Sequence, residues 1–248
     1  MDNKKIAKER IRGGYSISVT KLTDIELLRK ANSFTTGRSS NMTLADAYKY
    51  GHSPIRTQLF WVELRSIPLF VASQLVRSHV GVQFFQRSKR TDRGGEDFFT
   101  VCDDLAEDVM SIQEVDVCAS NKKGQFQEMI RDEILTLPQR FDRRQPTDLA
   151  FIANAEALIN MAHKRLCRMA SIETRGVFER IKEEVKVVDP DLHQHLVPMC
   201  VFRNGLCTEP KGCGFIHTQR GKEALATYRF TLDRPETTGN DDNSNFSK

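Results

Sequence analysis

Between residues 58 and 65 the chain alternates: Gln58, Phe60, Val62 and Leu64 fall on one side of an extended backbone, and Leu59, Trp61, Glu63 and Arg65 on the other. A strand with one apolar side needs a covering layer, and a helix is the expected cover. Pro68 follows, a residue tolerated in the first turn of a helix, and an apolar stripe over 69–80 predicts that helix. Upstream, 43–50 reads as a short helix that begins near Asn41 or Thr43 and stops before Gly51. Downstream, Gly81, Gly94 and Gly95, with the polar run 87–93 among them, read as a loop.

The remaining elements are helical by the same reading. Helices are expected over 97–110 and 125–137, the second ending at Pro138, with a less regular stretch over 111–124. A long helix is expected from Asp148, taken as its N-cap, to about Val187. Leu149, Ile152, Ile159, Ala162 and Leu166 form its stripe, and its length calls for a break within 169–176. Asp189 and Pro190 close it, and the polar stretch 235–248 is expected to be disordered.

Composition narrows the class of function. The 248 residues suffice for one sizeable core or two small ones, and no apolar run of about 18 residues is present. The opening residues lack the apolar centre of a secretion signal, so a cytoplasmic, non-membrane protein is expected. A formal net charge of +4 admits an anionic ligand without requiring nucleic acid. Six cysteines in such a chain argue against a disulfide framework.

Two stretches carry candidate chemistry. Arg77, His79, Arg87, Lys89, Arg90 and Arg93 crowd into 77–93, where arginine forks suit phosphate oxygens and Ser88 adds a hydroxyl donor. The same run also reads as a solvated charged surface. In the second half, Arg165, Met169 and Glu173 recur every four residues, so Arg165 and Glu173 would share one side of a continuous helix. They read either as a structural ion pair or as a pyrimidine- or phosphate-reading Arg oriented by Glu173. Cys167 is a nucleophile candidate by its chemistry alone, and a small thiol on a helix reads more readily as core.

Taken in order, these residues resemble the flavin-dependent thymidylate synthases. The run is Gly51-His52, Ser53-Pro54, the strand over 59–64, Pro68, Gln74, Arg77-Ser78-His79 and Ser88-Lys89-Arg90, followed by Asn154-Ala155, Arg165, Ala170 and Glu173. The resemblance spans roughly 41–190, and its force lies in the order rather than in any one motif. It implies an α+β fold with a mixed sheet and long helices and a synthase-like domain over 1–190, beyond which the residues themselves read as a small Cys/His-rich extension over 191–234 and a tail over 235–248. It further implies methylation of dUMP, or of a related pyrimidine deoxynucleotide, with reduced FAD as hydride source, methylenetetrahydrofolate as one-carbon donor and NADPH as reductant. A homotetramer with shared active sites is also implied.

By the same resemblance Arg77 and His79 approach flavin or nucleotide phosphates, and Ser88 and Arg90 bind the nucleotide phosphate. His52 and Asn154 lie near the flavin with Gln74, and Arg165 contacts and polarises the pyrimidine. The chain departs from the family pattern at Arg77-Ser78-His79, where Arg-His-Arg is usual. It departs again at Arg56, where an acid is usual, and at Thr91, where a tyrosine is usual. These departures fit a divergent member, such as a virus carries and its host's cytoplasm would hold. They fit equally a relative making another 5-substituted pyrimidine, or an inactive homologue.

Outside the resemblance, Cys200, Cys207, Cys213 and His217 are separated by six, five and three residues and offer three thiolates and an imidazole. That is the ligand set of a closed structural zinc site. Packed, unliganded cysteines are the other reading, and a zinc-containing RNA-binding module, with Phe202 and Phe215 as stacking groups, is the competing function.

Overall fold

The computed structural model describes residues 14–88, 146–233 and 235. Four strands form one antiparallel sheet in the order β1 (Ser16–Lys21), β2 (Leu59–Pro68), β4 (Pro146–Asn154) and β3 (Val82–Gln86). The helices are α1 (Ile25–Thr36), α2 (Leu44–Tyr50), α3 (Leu69–Leu75), α4 (Ala155–Arg165), α5 (Ile172–Val188), α6 (Pro190–His195), α7 (Met199–Phe202) and α8 (Gln219–Leu232). Short 3₁₀ turns occupy Ser53–Thr57 and Phe215–His217. The fold is thus α+β. Among the described residues no helix is long and apolar enough to cross a membrane.

The alternation in β2 works as its sequence dictates. Phe60, Val62 and Leu64 are fully buried, and Ile17 and Val19 of β1 with Leu149, Phe151 and Ala153 of β4 complete the core side of the sheet. α5 supplies Val177, Phe178, Ile181 and Val185 to the same core. Burying each large apolar side chain contributes about 1.5–3 kcal/mol, so this sheet–helix interface is the main apolar contribution among the described residues. α2 also forms as its sequence predicts. The Thr43 hydroxyl accepts from the Asp46 N–H, and Gly51 ends the helix at φ 63°, in the left-handed region that suits glycine.

Five expectations are corrected. The sheet is antiparallel rather than mixed, and the residues beyond 190 do not stand apart as a cysteine-rich segment, since α6 and α7 pack against α2, α4 and α5. The helix after Pro68 ends at Leu75 rather than reaching residue 80, because the chain must turn at Gly81 to lay β3 against β4. β3 itself replaces part of the expected loop. The long helix expected from Asp148 does not start there: Pro146–Asn154 is a strand in which Thr147, Leu149, Phe151 and Ala153 are buried in alternation. Asp148 is not an N-cap; its carboxylate accepts from the Ser66 N–H at 2.9 Å, inside a bulge where Ser66 takes φ 57°, and it faces Arg65 and Arg87 at 3.5 and 3.3 Å. The Ser66 hydrogen bond and the two guanidinium groups outweigh partial burial and hold the Asp148 carboxyl below the usual carboxylate range. The expected helices over 97–110 and 125–137, the stretch 111–124 and the tail from 236 onward lie outside the described residues.

A buried ionic centre ties the layers together. Asp189 is 1% exposed and accepts from Lys21 Nζ of β1 at 2.7 Å, from the Tyr48 hydroxyl of α2 at 2.8 Å and from the Leu192 N–H of α6 at 2.9 Å. Burial first, and then the Asp189 charge, push the Tyr48 phenol far above its ordinary pKa, so it stays a donor. Beyond α6, Val197, Val201 and Tyr228 form a second, smaller apolar cluster with Phe215 and Ile216.

Candidate functional site

α3, α4 and α5 each end or begin at one cavity of about 640 Å³, whose lining includes Gln74, Arg77 and Arg165. The Thr174 hydroxyl, in the first turn of α5, donates to the Gln74 side-chain carbonyl at 3.0 Å. Ser171, the N-cap of α5, donates from its own hydroxyl to the Thr174 oxygen at 2.8 Å. Arg165 is the last residue of α4 and donates from Nη2 to the main-chain carbonyl of Gln74. α3 is thereby fixed to both long helices at the cavity edge.

The electrostatics of Arg165 are unusual. Its Nε is buried and has no hydrogen-bond partner among the described residues. Burial first, and then the positive charge of Arg77, lower its guanidinium pKa. A buried N–H without an acceptor costs about 1–3 kcal/mol, and an anionic or carbonyl oxygen entering the cavity would relieve both penalties. The arrangement is therefore suited to an oxygen-rich anion.

The structure gathers only some of the residues expected at the site. Gln74, Arg77 and Arg165 meet at the cavity, whereas His52, His79, Ser88 and Asn154 are not among its lining residues, and Arg90 lies outside the described residues. His52 is exposed and stacks on Tyr50 with ring centroids 5.9 Å apart. His79 is exposed in the turn before β3, and Ser88 is half-buried just beyond it. Asn154 caps α4, its Oδ1 accepting from the Ala157 N–H at 2.8 Å, while its own N–H donates to the Gly81 carbonyl at 3.0 Å. A Cβ at Gly81 would stand 2.6 Å from the Asn154 amide nitrogen, so glycine is required there on both space and its φ of 72°.

Glu173 does not share a helix face with Arg165, because α4 ends at Arg165 and α5 begins at Ile172; Glu173 is an exposed first-turn residue of α5. The break falls over 166–171 and so overlaps only the start of the expected 169–176. Arg56, which stands where the resembled family has an acid, makes a two-point ion pair with Glu156 at 2.6 and 3.2 Å and joins the 3₁₀ turn to the first turn of α4. Thr174 and Ser171 were not singled out in the sequence; only the Ser-x-x-Thr spacing ahead of an apolar run marks them, as a cap.

The cysteines meet the same cavity. Cys200, Cys207 and Cys213 line it together with Cys167, which follows Arg165 by two residues. His217 is exposed and is not among the lining residues. Among the described residues no group of three or more His, Cys, Asp or Glu side chains is drawn tightly enough together to hold a metal ion. His163 also borders the cavity, its ring tilted by 32° against Phe202 with centroids 4.3 Å apart, and its Nε2 is buried and unpartnered among the described residues. Burial, then the Arg203 charge, lower its pKa to about 4, so it is neutral at physiological pH.

Many solved structures resemble the chain, among them the following two. One is the UMP/dUMP methylase PolB from Streptomyces cacaoi, bound with 5-Br dUMP: 16% identity, 73% of this chain and 94% of that one covered, TM-score 0.45. The other is Thymidylate Synthase X from Helicobacter pylori with FAD and dUMP: 17% identity, 74% and 98% covered, TM-score 0.44. At these identities and scores the likenesses assign no site residue. No curated protein matches the chain significantly. The family model described as thymidylate synthase complementing protein matches residues 15–191, which span β1 to the start of α6 and include Gln74, Arg77 and Arg165. The chain belongs to the thymidylate synthase complementing protein family.

Proposed function

We propose that the chain is a flavin-dependent thymidylate synthase-type methyltransferase that converts dUMP to dTMP. The observation that carries this reading is Arg165: a half-buried guanidinium beside Arg77, with one buried N–H still lacking an acceptor, on the cavity edge of a chain in this family. Two guanidinium groups and an unsatisfied N–H fit an anionic or carbonyl oxygen, which a pyrimidine nucleotide and a flavin phosphate both offer.

In this reading Arg165 holds a pyrimidine carbonyl and favours negative charge developing on it, and Gln74 fixes the Arg165 fork through its main-chain carbonyl. Arg77 and His79 serve phosphate groups, Ser88 and Arg90 the nucleotide phosphate, and His52 and Asn154 the neighbourhood of the flavin. When bound, FAD reduced by NADPH supplies a hydride and methylenetetrahydrofolate the carbon, so the protein's own contribution is placement and electrostatics. The working enzyme is a cytoplasmic homotetramer with sites shared between subunits.

The test is the visible absorbance of the purified protein after incubation with FAD and removal of free flavin, followed by an assay with dUMP, methylenetetrahydrofolate and NADPH. Retained flavin and dTMP formation are expected. A chain that keeps no flavin and makes no dTMP contradicts the proposal.

A further inference from the structure

We propose that Cys167, Cys200, Cys207 and Cys213 together bind one structural zinc ion that fastens the C-terminal extension to the end of α4. The four thiols come from separate places in the chain: Cys167 from the turn after α4, within the family-matched part, and the other three from beyond residue 191. All four line one cavity, which His217 does not. The ligand set is thus four cysteines, with Cys167 in the place that sequence spacing alone gives to His217.

Local backbone geometry brings the thiols toward one another. After Cys200 the short helix α7 stops in a tight reversal, with Asn204 at φ 55° and Gly205 at φ 100°, and the Gly205 N–H donates to the Cys200 carbonyl at 2.7 Å. This returns the chain toward Cys207. A Cβ placed on Gly212 would lie 3.4 Å from the Cys207 sulfur, so that thiol sits against the residue preceding Cys213. Gly214, at φ 69°, turns the chain again into Phe215, and the Arg168 guanidinium lies 5.5 Å from the Phe215 ring. That contact pins the Cys213 loop beside the Cys167 turn.

The thiolate is the form that binds a divalent cation, so all four thiols lose their protons on binding. Binding replaces four S–H bonds with four Zn–S bonds and releases four protons, with no redox change. The resulting anionic centre has Lys164 and Arg168 on the same cavity wall. Among the described residues the thiols are not drawn tightly enough together to hold a metal ion, so zinc binding closes the cluster, with the exposed Cys207 moving inward. With four protein ligands no coordination position stays open, so the ion is structural.

The test uses the full chain, reduced, exposed to zinc and desalted, with metal content then measured. About one zinc per chain is expected for the wild type and for His217→Ala, and Cys167→Ser should bind Co²⁺ on the order of tenfold or more weakly. In the wild type alone, zinc should protect Cys167 from alkylation along with Cys200, Cys207 and Cys213, as read by peptide mapping. That readout stands even where Cys167→Ser fails to fold. Any one of three results overturns the proposal: no uptake of zinc or Co²⁺ by the reduced wild type, Cys167 alkylating equally fast with and without zinc, or metal lost in His217→Ala but kept in folded Cys167→Ser.

Discussion

Asp189 and Arg165 are both charged groups drawn into the protein, and they are treated in opposite ways. Asp189 has its carboxylate filled by Lys21, Tyr48 and the Leu192 N–H, each from a different layer. Arg165 gives one donor to the Gln74 carbonyl and keeps Nε buried without an acceptor among the described residues. A buried charge with its partners in place needs no ligand, whereas the unsatisfied donor beside a cavity is what the proposed nucleotide role of Arg165 rests on.

The sharpest way to break the comparison is to remove Asp189. Asp189→Ala leaves Lys21 and Tyr48 facing each other without their acceptor and should cost on the order of 3–5 kcal/mol in denaturant unfolding. Nucleotide affinity of the fraction that remains folded should be unchanged. A loss below about 1 kcal/mol would place Asp189 with surface ion pairs.

Acid should come next in size, taken group by group. His163 and His195 are both buried, and burial lowers each to about 4 against an ordinary 6.5; in His195 the Asp189 charge opposes the shift. His193 is lowered too, again chiefly by burial. The unfolded chain therefore takes up protons below about pH 6.5 that the folded chain refuses until about pH 4. The stability from keeping these imidazoles neutral is complete above pH 6.5, falls as pH drops, and is exhausted near pH 4, by roughly 3 kcal/mol for each of the two larger shifts. Unfolding midpoints measured from pH 7 to 4 check this, and His195→Phe should flatten the slope.

Two smaller effects sharpen the contrast between surface and buried groups. Asn154→Ala removes the α4 cap and should cost about 1 kcal/mol. Arg56→Ala breaks an exposed pair with Glu156 and should shift thermal unfolding barely beyond error, although its two-point geometry is good.

How far the sequence revealed this depended on whether the signal was local. Thr43 and Gly51 bracket α2 because a cap hydroxyl and a left-handed glycine act within the helix itself. β2 was legible because Phe60, Val62 and Leu64 are strongly apolar and alternate with less buried neighbours. β4 was obscured because two of its four inward positions are Thr147 and Ala153, which are weakly apolar, while Leu149 and Ile152 mimic a helical spacing. β3 is a short edge strand whose Val82 and Phe84 are only half-buried, and it sits in a charged run that reads as loop.

The same rule governs the candidate site. Arg165 could be picked out as a basic residue near an apolar stripe, but its contacts with Gln74 and the bond from Thr174 to Gln74 span 91 and 100 residues. Nothing local announces them. The cysteine spacing after residue 199 was visible in sequence, yet Cys167, from the other side of α5, joins that cluster only in three dimensions. Ser88 belongs to a motif in the sequence yet is not among the residues lining the cavity, while the Asp189 centre follows from packing alone.

The most direct test of the account is calorimetric titration of dUMP into the flavin-loaded wild type and Arg165→Ala, with thermal unfolding of both in parallel. The account predicts a loss of about tenfold to a hundredfold in affinity, corresponding to about 1.4–3 kcal/mol, with stability unchanged or slightly raised once the unsatisfied donor is gone. Equal dUMP affinity in the two proteins, or a large fall in stability like that expected for Asp189→Ala, would contradict it.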